Sequence, residues 1–457
     1  MRDIATFTAL TRFGLGAAPD DEAAVDTAGG PQPWLLAQIA RSPQTPAPLA
    51  GFRASADILA GIWRARAAEG RDAEREAMRQ AYRGDYRPEL RARGLYLAQA
   101  PDSFTERMVL FWSNHFTVSS ARRAIGAAIA AYEREAIRPH VFGRFSDMLR
   151  AVVRHPVMLV YLDNTGSVGP NSRVGRRRIA RTGAETTLNE NLAREVLELH
   201  TVGVHAGYDQ EDVIALAQVL SGWSHGGQRR RDAPEAVHGG FEFIPAFHEP
   251  GAKTILGVRY DEDGEDEGLR VLDDLARHPA TAMHLATKLV RHFVADDPPE
   301  DDVRRIAAVF TDSGGDLAAV SRAVIDLRSA WATPLGKVKS PQDYVISANR
   351  AAAMDDVPQR DLIQPMGLLG QETFAAPSPQ GWGDTARDWL TPEALMTRIE
   401  WARRFAATWP AGRNPAEVLD ATVGPVASAA LHQAVARAPS GDAAIALILV
   451  SPEFQRR

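Results

Sequence analysis

Leu188–Tyr208 reads LNENLAREVLELHTVGVHAGY, and its apolar spacing writes an amphipathic helix with a histidine on the inner side. Wound at roughly 100° per residue, Leu192, Ala193, Val196, Leu197 and Leu199 share one arc, while Asn191, Arg194, Glu195 and Glu198 lie opposite. His200 falls inside the apolar arc. The imidazole is therefore expected to be buried, where it needs a hydrogen-bond partner or a metal. Gly203 is the expected helix stop.

Helix-start signals recur outward from this stretch in both directions. Ser103 with Glu106 and Thr187 with Glu190 have capping-box spacing, and Asp209 leads a third start with Tyr208 and Val213 as a hydrophobic staple. Ser340-Pro341, Thr391-Pro392 and Asn414-Pro415 each set a capping residue before a proline at the first helical position. The expected fold is mainly α, a multi-helix globular array. Phe241–Tyr260, which alternates around Pro250-Gly251, carries the one convincing strand signal and predicts a small β-hairpin or a pair of small strands. Asp163–Arg181, with Gly, Pro, Asn, Ser and five arginines, reads as an exposed, mobile loop.

The 457 residues divide into an N-terminal helical region (1–100), a central helical core holding the Arg-rich loop 163–181 (101–240), and the hairpin with a C-terminal helical region (241–457). These regions are expected to gather into one or two lobes. A faint internal echo links RMVLFWSNHF at Arg107–Phe116 with TKLVRHF at Thr287–Phe293, each followed by an Asp-containing helix.

A hydrophobic content of 45% and a charged content of 24% belong to an ordinary globular chain. The net charge of −6, with both signs interspersed, gives no general attraction to nucleic acid. Cysteine is absent, which removes disulfides, thiolate nucleophiles, zinc-thiolate sites and iron–sulfur clusters. The opening MRDIATFTAL lacks the apolar core of a signal peptide, so a cytoplasmic location is the expectation, and no apolar run is long enough for a membrane span.

The Ser103 helix repeats the inward histidine: His115 joins Phe104, Met108, Val109, Phe111, Trp112 and Phe116 on one arc. A histidine in a last turn suits the helix dipole when protonated, so both can be structural. In the functional reading His115 and His200 converge, with Asn114 or Asn189, on a polar site. Glu195 and Glu198 line one face and could hold a divalent metal with His200, although Glu190–Arg194–Glu198 also reads as surface ion pairing. His248, before Pro250-Gly251, is a further candidate, with a Glu249–Lys253 turn as its structural reading.

Seven segments carry a family resemblance: RFGLGA (Arg12–Ala17), ERMVLFWSNHFTVS (Glu106–Ser119), RHPVMLVYLDNTGSVGPNS (Arg154–Ser172), LNENLAREVLELHTVGV (Leu188–Val204), GYDQEDVIALAQVLSGW (Gly207–Trp223), HEPGAKTILG (His248–Gly257) and PSPQGWGDTARDWLTPEAL (Pro377–Leu395). Together they resemble the bacterial domain of unknown function 1800 family over nearly the whole chain. The resemblance implies a helical fold and no assigned activity. It also implies that many relatives are exported and that a partner of the domain of unknown function 1501 type, itself similar to sulfatase-like hydrolases, is encoded nearby. Two functions follow as expectations: an enzyme or metal-dependent protein centred on His115, Glu195, Glu198, His200 and His248, or a non-catalytic helical scaffold for a partner protein.

Overall fold

Helix starts follow the capping residues closely. In the computed structural model, which describes residues 3–41, 43–183, 188–227, 238–354, 362–410 and 412–457, the Ser340, Thr391 and Asn414 side chains each accept a backbone N–H in the first turn of a proline-led helix. At the start expected at Asp209, Asp209 and Asp212 close a capping box over Gln210–Val219. Thr187 lies outside the described residues; the helix beginning at Asn191 has Asn189 Oδ1 accepting the Asn191 N–H. The chain is 63% helical, and among the described residues the strands are confined to two two-stranded antiparallel sheets. No helix among the described residues is long and apolar enough to cross a membrane.

Two expectations need correction. The Ser103–Glu106 box does not form: Ser103 is buried without a hydroxyl partner, and Glu106 instead grips Arg138 through two hydrogen bonds of 2.6 and 2.7 Å. Charge pairing with a distant guanidinium outcompetes the local cap. The small hairpin expected within 241–260 is present, pairing Lys253–Ile255 with Val258–Tyr260 across Leu256-Gly257, while Phe241–Phe243 pairs with Trp223–His225. The stretch after Ser172 is the helix Arg173–Thr182, with Ser172 Oγ accepting from Gly175 N. Arginine favours helices, and one cap suffices to start them. The segment before that helix is tied down too, since Asn164 Nδ2 donates to the carbonyls of Leu220 and Trp223.

The apolar core falls into two large clusters. One gathers residues between Ala9 and Ala330; the other gathers Phe7, Leu15 and Leu97 with residues 344–454. The first helical segment therefore contributes to both, Phe7 to one and Leu10 and Phe13 to the other. Around the first cluster lie buried ion pairs, Glu106–Arg138 and Arg93–Glu133, the latter at 2.6 and 2.7 Å with Ser113 Oγ donating to the same carboxylate. Glu106→Ala would leave a buried guanidinium alone and should lower stability by about 3–5 kcal/mol in urea unfolding. A loss below about 1 kcal/mol would mean that Arg138 reaches water in the folded protein.

Candidate functional site

His115 and His200 are both inward, each only 1% exposed, with ring centroids 6.3 Å apart. Their meeting has a backbone cause. The last turn of the Val196–His200 segment leaves carbonyls without helical partners, and histidines from two other helices supply donors. His115 Nε2 lies 3.2 Å from the His200 carbonyl, and His284 Nε2 lies 3.1 Å from the Leu199 carbonyl. A carbonyl only accepts, so both Nε2 atoms carry the proton. His115 Nδ1 is then a bare lone pair, buried with no partner among the described residues. Gly203 ends this turn at φ +82°, and a Cβ there would sit 2.9 Å from His284 Nδ1.

His115 also lines a cleft of about 760 Å³. Its walls are the Ser103–His115 helix, the Pro279–Phe293 helix, the start of the Pro341–Ala352 helix and the loop from Gln380 to Asp388. Asn114 fastens that loop by a two-way amide contact, donating to the Trp382 carbonyl at 2.9 Å and accepting from Trp382 N at 2.8 Å. The approach is so close that a Cβ on Gly381, at φ +82°, would lie 2.5 Å from the Asn114 carbonyl.

The loop delivers Asp384 to His292. Asp384 Oδ2 is 2.7 Å from His292 Nδ1, while His292 Nε2 faces Arg107 Nη1 at 3.5 Å. A guanidinium donates only, so the consistent assignment puts the proton on Nδ1 and leaves Nε2 as an acceptor in the cleft. Burial pushes His292 down to about 4 despite Asp384. Burial would raise Asp384, but His292, Lys337 and Arg457 outweigh it and hold the carboxyl below its ordinary range. Behind them Lys337 reaches Asp296 and the Asp384 carbonyl, and Arg107 and Arg457 share Asp343, each at 3.2 Å.

The other sequence candidates do not join this cleft. His200 lies behind His115 and outside the lining. Glu195 and Glu198 stay on the outer face of their helix, where burial and then Glu198 raise Glu195 to about 7 and Arg194 bridges Glu190 to Glu198. His248 sits in a separate buried network, Nδ1 on the Ser221 carbonyl at 3.1 Å and Nε2 on Glu267 at 3.2 Å; Lys253 shares that carboxylate and also donates to the Glu249 carbonyl. Asn189 holds the Asp163 carbonyl and lines a different depression with Glu190 and Asn191. Among the described residues no three His, Asp or Glu side chains are grouped to hold a metal ion. A Ser55–His155–Glu135 cluster resembles a hydrolase triad, but His155 Nδ1 accepts from Val157 N, so Nε2 must carry the proton and cannot take one from Ser55.

Sequence reasoning passed over His284, Lys288 and His292. They stand at i, i+4 and i+8, one stripe of the Pro279–Phe293 helix, a pattern legible in ATAMHLATKLVRHF had it been wound like the Leu188 stretch. Asp384 was inside a quoted motif, PSPQGWGDTARDWLTPEAL, but nothing local marks its partner.

A family profile described as protein of unknown function (DUF1800) matches residues 8–456, and the chain belongs to that family. No curated protein and no solved structure matches it.

Acid sensitivity follows from the buried imidazoles. Unfolded histidines titrate near 6.5, whereas burial holds His200 at about 3 and His284 and His292 at about 4. As pH falls from about 6.5 toward 4, the unfolded chain binds protons that the folded chain refuses, so stability falls, by up to about 1.4 kcal/mol per pH unit per histidine. His200→Gln removes one such site and should lose less stability than the native chain between pH 7 and 5. Equal losses in denaturant titrations at the two pH values would show that His200 takes up its proton without unfolding.

Proposed function

We propose that the cleft is the working site of the protein, binding a small polar anion and moving a proton at His292 Nε2. The observation that carries this reading is the 2.7 Å contact between Asp384 and His292 Nδ1, which leaves the opposite ring nitrogen as an acceptor in the cleft. Asp384 fixes the tautomer and would steady the imidazolium formed when Nε2 takes a proton. Lys288 and Arg387 line the cleft with no ion pair among the described residues, which favours a ligand of negative charge. About 760 Å³ is ample for a metabolite-sized molecule. His200 and His248 serve as structural anchors.

The scaffold alternative, with a sulfatase-like partner of the kind the family resemblance implies, has one observation in its favour. Leu395, Met396 and Ile399 are exposed on neighbouring turns of the Pro392–Ala406 helix. The two readings separate in one series of measurements. Small carboxylates, phosphates and sulfates are screened for those that raise the melting temperature, and turnover of each ligand found is followed by mass spectrometry. His292→Asn should bind the ligand but turn it over roughly 10²–10⁴-fold more slowly. A chain that no small anion stabilises, or a His292→Asn variant of unchanged rate, would overturn the proposal.

A further inference from the structure

The chain holds 52 Lys and Arg residues, of which four are lysine: Lys253, Lys288, Lys337 and Lys339. None of the four is exposed. Arginine fills every exposed basic position. Its guanidinium stays protonated, whereas an ammonium is compact and able to lose its proton, so the lysines mark interior positions where those two properties matter. Three of them are engaged. Lys253 pairs with Glu267 at 3.1 Å, Lys337 with Asp296 and the Asp384 carbonyl, and Lys339 donates to Ser347 Oγ at 2.8 Å above the Phe454 ring. Lys288 makes no hydrogen bond or ion pair among the described residues, and it lines the cleft.

Its surroundings are those of an amine rather than an ion-pair partner. His284 and His292 stand one helical turn to either side on the same stripe, with their ring protons committed to the Leu199 carbonyl and to Asp384. His115, with its unpartnered Nδ1, stands in the same wall. Burial pushes Lys288 down to about 8, leaving a share of it as free amine near neutral pH. Arg291 and Arg387 line the same cleft and supply positive charge that stays when the amine is neutral.

We infer that Lys288 captures a small anionic carbonyl compound, an aldehyde or keto acid bearing a carboxylate, as an imine. This rests on the reading of the cleft as the working site and names its substrate class. The lone pair of Nζ attacks the carbonyl carbon, the N–C bond forms, and the C–O π pair moves to oxygen. One Nζ proton passes to His292 Nε2 and on to that oxygen, giving a carbinolamine. A second proton, drawn from solvent, lets the oxygen leave as water while the nitrogen lone pair forms the double bond. The sum is amine, carbonyl and one proton in, protonated imine and water out, with no change of oxidation state. The imine nitrogen then withdraws electrons from the adjacent carbon, beside a histidine able to take its proton.

The test uses the full chain with glyoxylate or pyruvate and sodium cyanoborohydride, which reduces an imine to a stable secondary amine. Intact mass and peptide mapping read the product. The near absence of competing amines makes the background low. The expected result is one adduct per chain, mapped to Lys288 and absent from Lys288→Met. Labelling of the α-amine or Lys253 while Lys288 stays unmodified would overturn the inference, and because the site is mapped in the native chain, the outcome does not depend on the variant folding. A His292→Asn chain that traps as fast as the native one would overturn the proton role of His292 and leave the imine standing, whereas loss of trapping in the native chain would sink the imine and leave the His292–Asp384 reading intact.

Discussion

One carboxylate holds the two apolar cores in register. Asp343 accepts a hydrogen bond from Arg107, which rises from the first core, and forms an ion pair with Arg457, which packs with the second, each at 3.2 Å. Arg12 completes the joint without a carboxylate, donating to carbonyls of Phe293, Val294, Ala330 and Arg457. Such a cluster adds little stability beyond what apolar packing of equal volume would give, but removing any member strands a buried charge. Its effect is therefore geometric: it fixes how the two cores meet. The cleft opens at that meeting, with His115, Lys288 and His292 on one side and Asp343 and Asp384 on the other. Arg107 and Asp343 belong both to this joint and to the wall of the cleft.

Much of the helical frame was legible because capping is local. Ser340-Pro341 and Asp209 specify their helix starts within four residues, and the structure obeys them. Ser103 illustrates the limit. Glu106 stands at the right spacing to cap, yet a guanidinium 32 residues away in Arg138 offers two charge-assisted hydrogen bonds where the cap offered one. Arg173–Thr182 failed in the opposite sense, since breakers at Gly169 and Pro170 coloured the reading of the helix that follows them. Short strands were legible only where they alternate.

For the site, the helical wheel correctly turned His115 and His200 inward but could not say what they turn toward. For His115 the answer lies in another element, the His200 carbonyl at a helix end. Glu195 and His200 share a helix and face opposite sides, so their nearness in sequence carried no chemistry. His292 and Asp384 are 92 residues apart and meet at 2.7 Å. Long-range pairing of this kind leaves no periodic trace, whereas the His284, Lys288 and His292 stripe does, and is the one part of the cleft that pattern reading could have reached. The Ser55–His155–Glu135 cluster adds the complementary lesson that residue types at hydrogen-bonding distance do not make a triad until each proton is assigned.

The Asn114–Trp382 contact joins residues 268 positions apart. During synthesis at roughly 5–20 residues per second, Asn114 and the helix that carries it wait tens of seconds before the loop that completes the cleft exists. The N-terminal core can condense in that interval, since its cluster draws on residues up to Ala330. The cleft cannot. Chains cut short before Trp382 would thus be folded in part yet lack the cleft, which is completed late, with the docking of a single amide.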